Sequence, residues 1–194
     1  MPAILATLLG CPGITLSADP SASFRPVASI QEIMQAIVDT SADGIWNSVE
    51  TVQTASGTVE HAPRTPGEWA QTRLAAITLI EATNLLVIGG RRVGTREFPA
   101  EADGALDSAH IQKLIRQKRA AFDAFALALR QSGLTILAAI DAQDPGALVR
   151  AGGALDAVCE SCHLSFWYPN QVIPPYPKPD DTARPIFRAG SPPR

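Results

Sequence analysis

The stretch "DPGALVRAGGALDAVCESCHLSFWYP", residues 144–169, holds a helix start, a helix stop and a chemical motif in one segment. Asp144 ahead of Pro145 is a cap followed by a proline at the first helical position, where the missing N–H is not needed. Pro169 cannot continue a helix, so the segment predicts a helix over about residues 145–167. Within it Cys159, Cys162 and His163 stand at i, i+3 and i+4, a spacing that presents two sulfurs and an imidazole on one helix face.

Upstream, three more segments carry apolar residues at helical spacing. Ile30, Ile33, Met34, Ile37, Val38, Ile45, Val49 and Val52 predict a first helix over about 28–53. "TASGTVEHAPRTPG" interrupts it with Gly57, Pro63, Pro66 and Gly67. Thr65, Pro66 and Glu68 make a capping box for a second helix over about 66–88, stopped by Gly89 and Gly90. After the loop "RRVGTREFPAEADGALD", Asp107 or Ser108 caps a third helix that reaches about residue 142 and bends near Gly133. No run of residues signals a strand. The expected fold is therefore all-α, an antiparallel four-helix bundle over residues 23–168. Residues 169–194, "PNQVIPPYPKPDDTARPIFRAGSPPR", predict an extended proline-rich tail.

The 194 residues suffice for one ordinary core. Sixteen Lys and Arg against nineteen Asp and Glu give a net charge of −3, which offers no broad basic field for nucleic acid. At the N-terminus "MPAILATLLGCPGITLSADPSA" has a short apolar run without a charged leader, so residues 1–22 read as an export signal. Leu8, Leu9, Gly10 and Cys11 resemble a lipobox, which makes Cys11 a candidate lipid anchor and the periplasm the expected location.

Cys-X-X-Cys-His is the attachment signal of a c-type haem: the sulfurs form thioethers with the two vinyl groups and the histidine ligates iron. The competing chemistries fit less well. A structural zinc site wants four ligands, and only His61, His110 and Cys11 remain to complete one. A thioredoxin-like dithiol expects a preceding strand and a βαβ setting. A plain disulfide gives His163 no role. Glu81 with Asn84, the three tryptophans Trp46, Trp69 and Trp167, and the loop arginines Arg91, Arg92 and Arg96 read first as packing or surface residues. Those arginines are also within the repertoire for haem propionates.

Four helices with the motif at the end of the last one resemble the class II cytochromes c, the cytochrome c′ family. The similarity covers about residues 30–167 as architecture, and its closest local text is "LVRAGGALDAVCESCHLSFW". The resemblance implies one covalent haem c, His163 as the proximal ligand, and a distal side supplied by the first helix. In the low-spin branch that distal ligand is a methionine, and Met34 is the one methionine here besides Met1. The alternative for Met34 is a gap-filling core residue, with Ile30 or Ile37 facing an open iron. Where the family often has a basic residue after the histidine, this chain has Phe166, Trp167 and Tyr168.

The expected function is an exported monohaem c-type cytochrome, a single-electron carrier and not an enzyme, that meets redox partner proteins. The alternative is a five-coordinate haem protein that binds or senses NO or CO. The family also implies a possible homodimer through the first two helices.

Overall fold

The computed structural model describes residues 25–54, 56–97, 99–100 and 104–171. The expected signal segment with Cys11, and the tail from residue 172 on, lie outside the described residues. The order of elements is α1 (Ile30–Ile33), a π-helical turn (Met34–Val38), α2 (Asp39–Trp46), β1 (Glu50–Thr54), β2 (Gly57–His61), α3 (Pro66–Leu86), α4 (Ser108–Gln117), α5 (Arg119–Asp141) and α6 (Pro145–Phe166). The chain is mostly helical, as its composition predicts.

Helix starts follow the capping residues. Thr65 Oγ1 accepts from the Glu68 N–H at 3.2 Å, while the Glu68 carboxylate accepts from the Thr65 N–H at 2.8 Å. This is the expected capping box, with Pro66 at the first position. Ser29 and Glu32 form a second box at the start of α1. The next free donors there, Ile30 and Gln31 N–H, bond to the carbonyls of Arg92 and Val93 at 2.9 Å. Asp107 and Asp144 cap α4 and α6 through the N–H groups of His110 and Ala147.

Three expectations are corrected. The first helix ends at Trp46 rather than near residue 53, and residues 50–61 form an antiparallel hairpin. Val and Thr dominate that stretch, and such branched residues prefer a pleated strand once the apolar stripe has no helix to face. Val52 pairs with Val59 on an exposed surface, so the hairpin adds a strand pair without entering the core. Second, the same helix holds a π turn, closed by the Asp39 N–H bonding to the Met34 carbonyl. The wider turn inserts a residue, so the buried stripe runs Ile30, Ile33, then Val38, Ala42 and Ile45. Third, the expected third helix is two helices broken at Lys118 (φ −116°, ψ 39°), and α5 continues through Gly133. Nothing in the local sequence marks Lys118 as a breaker. Arg119, the next residue, reaches the Val87 carbonyl beyond α3 and pairs with Asp123 at 2.8 Å.

The core lies where α3 packs along α5 and α5 along α6, with α2 and the π turn resting on α3. Gly133 is the close point: a Cβ there would sit 2.6 Å from Ile80 Cγ1 on α3. Phe166, fully buried on α6, meets Phe122 and Phe125 of α5 edge-on at centroid distances of 5.5 and 6.1 Å. Trp46 Nε1 donates to the Gly152 carbonyl at 3.0 Å and joins α2 to α6. The end of α6 is tied to the loop before α4 by Leu106 N–H bonding to Trp167 O at 2.7 Å. Gly104 makes this approach possible, because its φ is +85° and a Cβ would lie 3.0 Å from Gln171 Cα.

Candidate functional site

On α6 the buried stripe runs Leu148, Ala151, Gly152, Leu155 and Phe166. Val158, Cys159 and Cys162 continue it in the gap between Leu155 and Phe166, half-buried and packed against the core. The sulfurs thus occupy core positions at helical spacing, and His163 flanks them one residue on. His163 lies in the last turn, where its carbonyl accepts from both Trp167 N–H at 2.7 Å and Tyr168 N–H at 3.0 Å. The same two residues stand around the imidazole, with ring centroids 6.1 and 5.8 Å away. Trp167 and Tyr168 therefore bracket the histidine.

Cys159, Cys162 and His163 line a cavity of about 30 Å³. Met34, Ile30, Leu86, Phe122, Phe125 and Trp167 are among its other walls, so the first helix, α3, α5 and α6 all contribute. A second cavity of about 220 Å³ adjoins it, lined by Met34, Gln31, Gln35, Asp39, His163, Trp167 and Tyr168. Met34, His163 and Trp167 are common to both. The structure brings together all four residues that the sequence singled out. Ile30 shares the smaller cavity, whereas Ile37 lines neither.

Burial pushes the Cys159 thiol up to about 11, helped by the carboxylates of Asp156 and Asp39. Burial also drives Cys162 up to about 12, with Cys159 adding to the rise. Both thiols are protonated near neutrality, opposite to the activated thiolate of a dithiol oxidoreductase. Among the described residues no group of three or more His, Cys, Asp and Glu side chains is arranged to hold a metal ion by itself. A protein-only zinc cage is therefore not assembled among them.

Asp39 is a residue of the site that the sequence reading passed over. Burial raises its pKa, the nearby His163 imidazole lowers it, and Asp43 raises it. It lies five residues after Met34, and the π turn between them accounts for their sharing a cavity. A reading at 3.6 residues per turn rotates Asp39 away from that face, which is why the pattern hid it.

The remaining candidates take ordinary places. Asn84 donates to Glu81 at 3.0 Å on the exposed side of α3. Trp69 is buried in the core, His61 is exposed on β2, and His110 pairs with Asp107 at 2.8 Å. Arg91 is buried and bonds to the carbonyls of Leu85 and Ala28.

The donor chemistry fits a covalently held haem: two thiols and an imidazole on one face, a thioether across the same cavity, and apolar walls between. The smaller cavity matches about one water molecule in volume, far below a macrocycle. Room has to come from the seam between the first helix and α6, where α1 and the π turn rest mainly on α3 and approach α6 only sparsely. Comparison of the chain with family models, curated proteins and solved structures found no match.

Proposed function

We propose that this chain is an exported monohaem c-type cytochrome of the class II type, working as a single-electron carrier. One observation carries the reading: Cys159, Cys162 and His163 share a cavity with Met34, the partner that the resemblance implies. The helices are then an antiparallel four-helix bundle, with the short α5–α6 connection at residues 142–144 reversing the chain. Residues 1–22 direct export to the periplasm, with Cys11 as a lipid anchor, and redox proteins are the partners.

When bound, the haem supplies an iron that cycles between ferric and ferrous states. The chain's own part is structural. Cys159 and Cys162 would hold the macrocycle to α6, and His163, bracketed by Trp167 and Tyr168, would present its imidazole to the metal. The Met34 thioether, as a ligand, would favour the ferrous state and raise the potential. Leu86, Phe122, Phe125 and Leu129 keep water out, which limits reorganisation as charge changes. No acid, base or nucleophile is needed for this work.

A second reading, a five-coordinate protein for NO or CO, draws support from the small apolar cavity beside Met34. The optical spectrum of the reduced protein with and without CO separates the two, repeated on Met34→Ala. The carrier reading expects a low-spin spectrum unmoved by CO, and a high-spin, CO-reactive variant. A high-spin wild type that Met34→Ala leaves unchanged would refute ligation by Met34.

A further inference from the structure

A cavity of about 300 Å³ lies between residues 92–97 and α4, and shares no lining residue with the cavity at the cysteine motif. Arg92, Arg96 and Arg116 line it, together with Thr95, Gln112 and a single acid, Glu97. An adjoining cavity of about 250 Å³ shares Arg92, Gln112 and Arg116 and adds Arg91 and Arg119. Seven of the sixteen Lys and Arg fall within residues 91–119, against four of the nineteen Asp and Glu. Five of these seven, Arg91, Arg92, Arg96, Arg116 and Arg119, line one or both of the two cavities.

Of the neighbouring acids, Glu32 and Asp107 are both engaged in helix caps, although Glu32 also feels the charge of Arg92. Glu32 is held by the Ser29 N–H and hydroxyl at 2.8 and 2.7 Å and takes Thr95 Oγ1 at 3.3 Å. Asp107 caps α4 and pairs with His110. Among the described residues, Arg92, Arg96 and Arg116 form no ion pair, whereas Arg73 and Arg119 do.

The frame under these arginines is fixed. Arg91, 8% exposed, anchors its segment on the carbonyls of Leu85 and Ala28. The Arg92 and Val93 carbonyls accept from the first N–H groups of α1, and Val93 N–H donates to Gln112 Oε1 at 2.8 Å. That bond leaves the Gln112 NH₂ without a partner among the described residues. Three guanidinium forks on an anchored backbone match a group with several ionised oxygens better than a lone carboxylate. The volume falls at the lower bound of small-molecule sites.

We propose that this cleft binds a phosphate group, carried by a soluble small molecule or by a lipid headgroup, with Arg92, Arg96 and Arg116 as its ligands. The test titrates the full-length protein with pyrophosphate by calorimetry, at an ionic strength held constant with sodium chloride. Vesicles of phosphatidylcholine with and without phosphatidic acid are sedimented with the protein in parallel. Arg96→Ala and Arg116→Ala, both exposed positions, are compared with Arg150→Ala on α6, which lines neither cavity. The expected result is single-site binding weakened about tenfold or more by the first two substitutions and unchanged by the third. Loss seen with pyrophosphate supports a soluble ligand, and loss seen only with phosphatidic acid supports a headgroup. Binding of neither probe, or equal binding by all variants, overturns the proposal.

Discussion

Met34 at the start of the π turn and His163 in the last turn of α6 line the same two cavities, one of about 30 Å³ and one of about 220 Å³. Leu148, Leu155 and Phe166, each fully buried, seat α6 in the core independently of the two thiols. Cys159→Ala with Cys162→Ala, which removes both attachment points, is expected to keep the helical circular dichroism and a cooperative thermal transition. A disordered or non-cooperative double variant would contradict the packing described for α6.

Gly133 allows α3 and α5 to approach, since its Cβ position lies 2.6 Å from Ile80 Cγ1. Gly133→Ala forces Ile80 aside and is expected to destabilise by about 1–3 kcal/mol. Gly153→Ala, with nothing within 4 Å, is the control and should be neutral or stabilising by about 0.5–1 kcal/mol. Urea denaturation measures both. Equal stability of the two variants would remove the close contact from the account.

The capping box at Thr65 gives a pH signature. The N–H groups of Arg64 and Thr65, then the Thr65 hydroxyl, hold the Glu68 carboxylate below the usual carboxylate range. A lowered folded pKa contributes stability that is fully present above the unfolded value of about 4.5 and is lost as pH falls through the folded value. Glu68→Gln should therefore narrow the difference in stability between neutral pH and pH below about 4, read by urea midpoints. Thr65→Ala should cost about 1 kcal/mol at pH 7.

The raised thiols give a reactivity signature in the haem-free chain. With Cys159 near 11 and Cys162 near 12, little thiolate is present at neutral pH. Iodoacetamide should label both at least about tenfold more slowly in the folded chain than in urea. Equal rates would show the sulfurs to be exposed rather than packed in the α6 stripe.

Much of this architecture is written locally. The cap-plus-proline starts at Thr65–Pro66 and Asp144–Pro145 fix α3 and α6 to within a few residues, because the signal is a hydrogen bond made inside one turn. The hairpin was legible only in hindsight, since Val49 and Val52 continue an apolar spacing while their branched neighbours favour strands. At the break after Lys118, Arg119 reaches Val87, thirty-two residues away in sequence, a contact that no local pattern announces. The site divides the same way. Cys159, Cys162 and His163 stand out by spacing, whereas Met34 stands out only through the resemblance that calls for a methionine on the first helix. Asp39 and the walls Phe122, Phe125 and Leu129 join the site only through the π turn and the packing of α5 on α6.

The central claim is covalent haem at Cys159 and Cys162, and intact-mass measurement tests it most directly. The full chain is expressed in a host that matures c-type cytochromes, and the denatured protein is weighed and its haemochrome spectrum recorded. The expected result is a polypeptide heavier by one haem, cysteines at both positions that resist alkylation after denaturation, and loss of the two-thioether spectrum in Cys159→Ala. A polypeptide of bare mass, with both thiols open to alkylation, would contradict it.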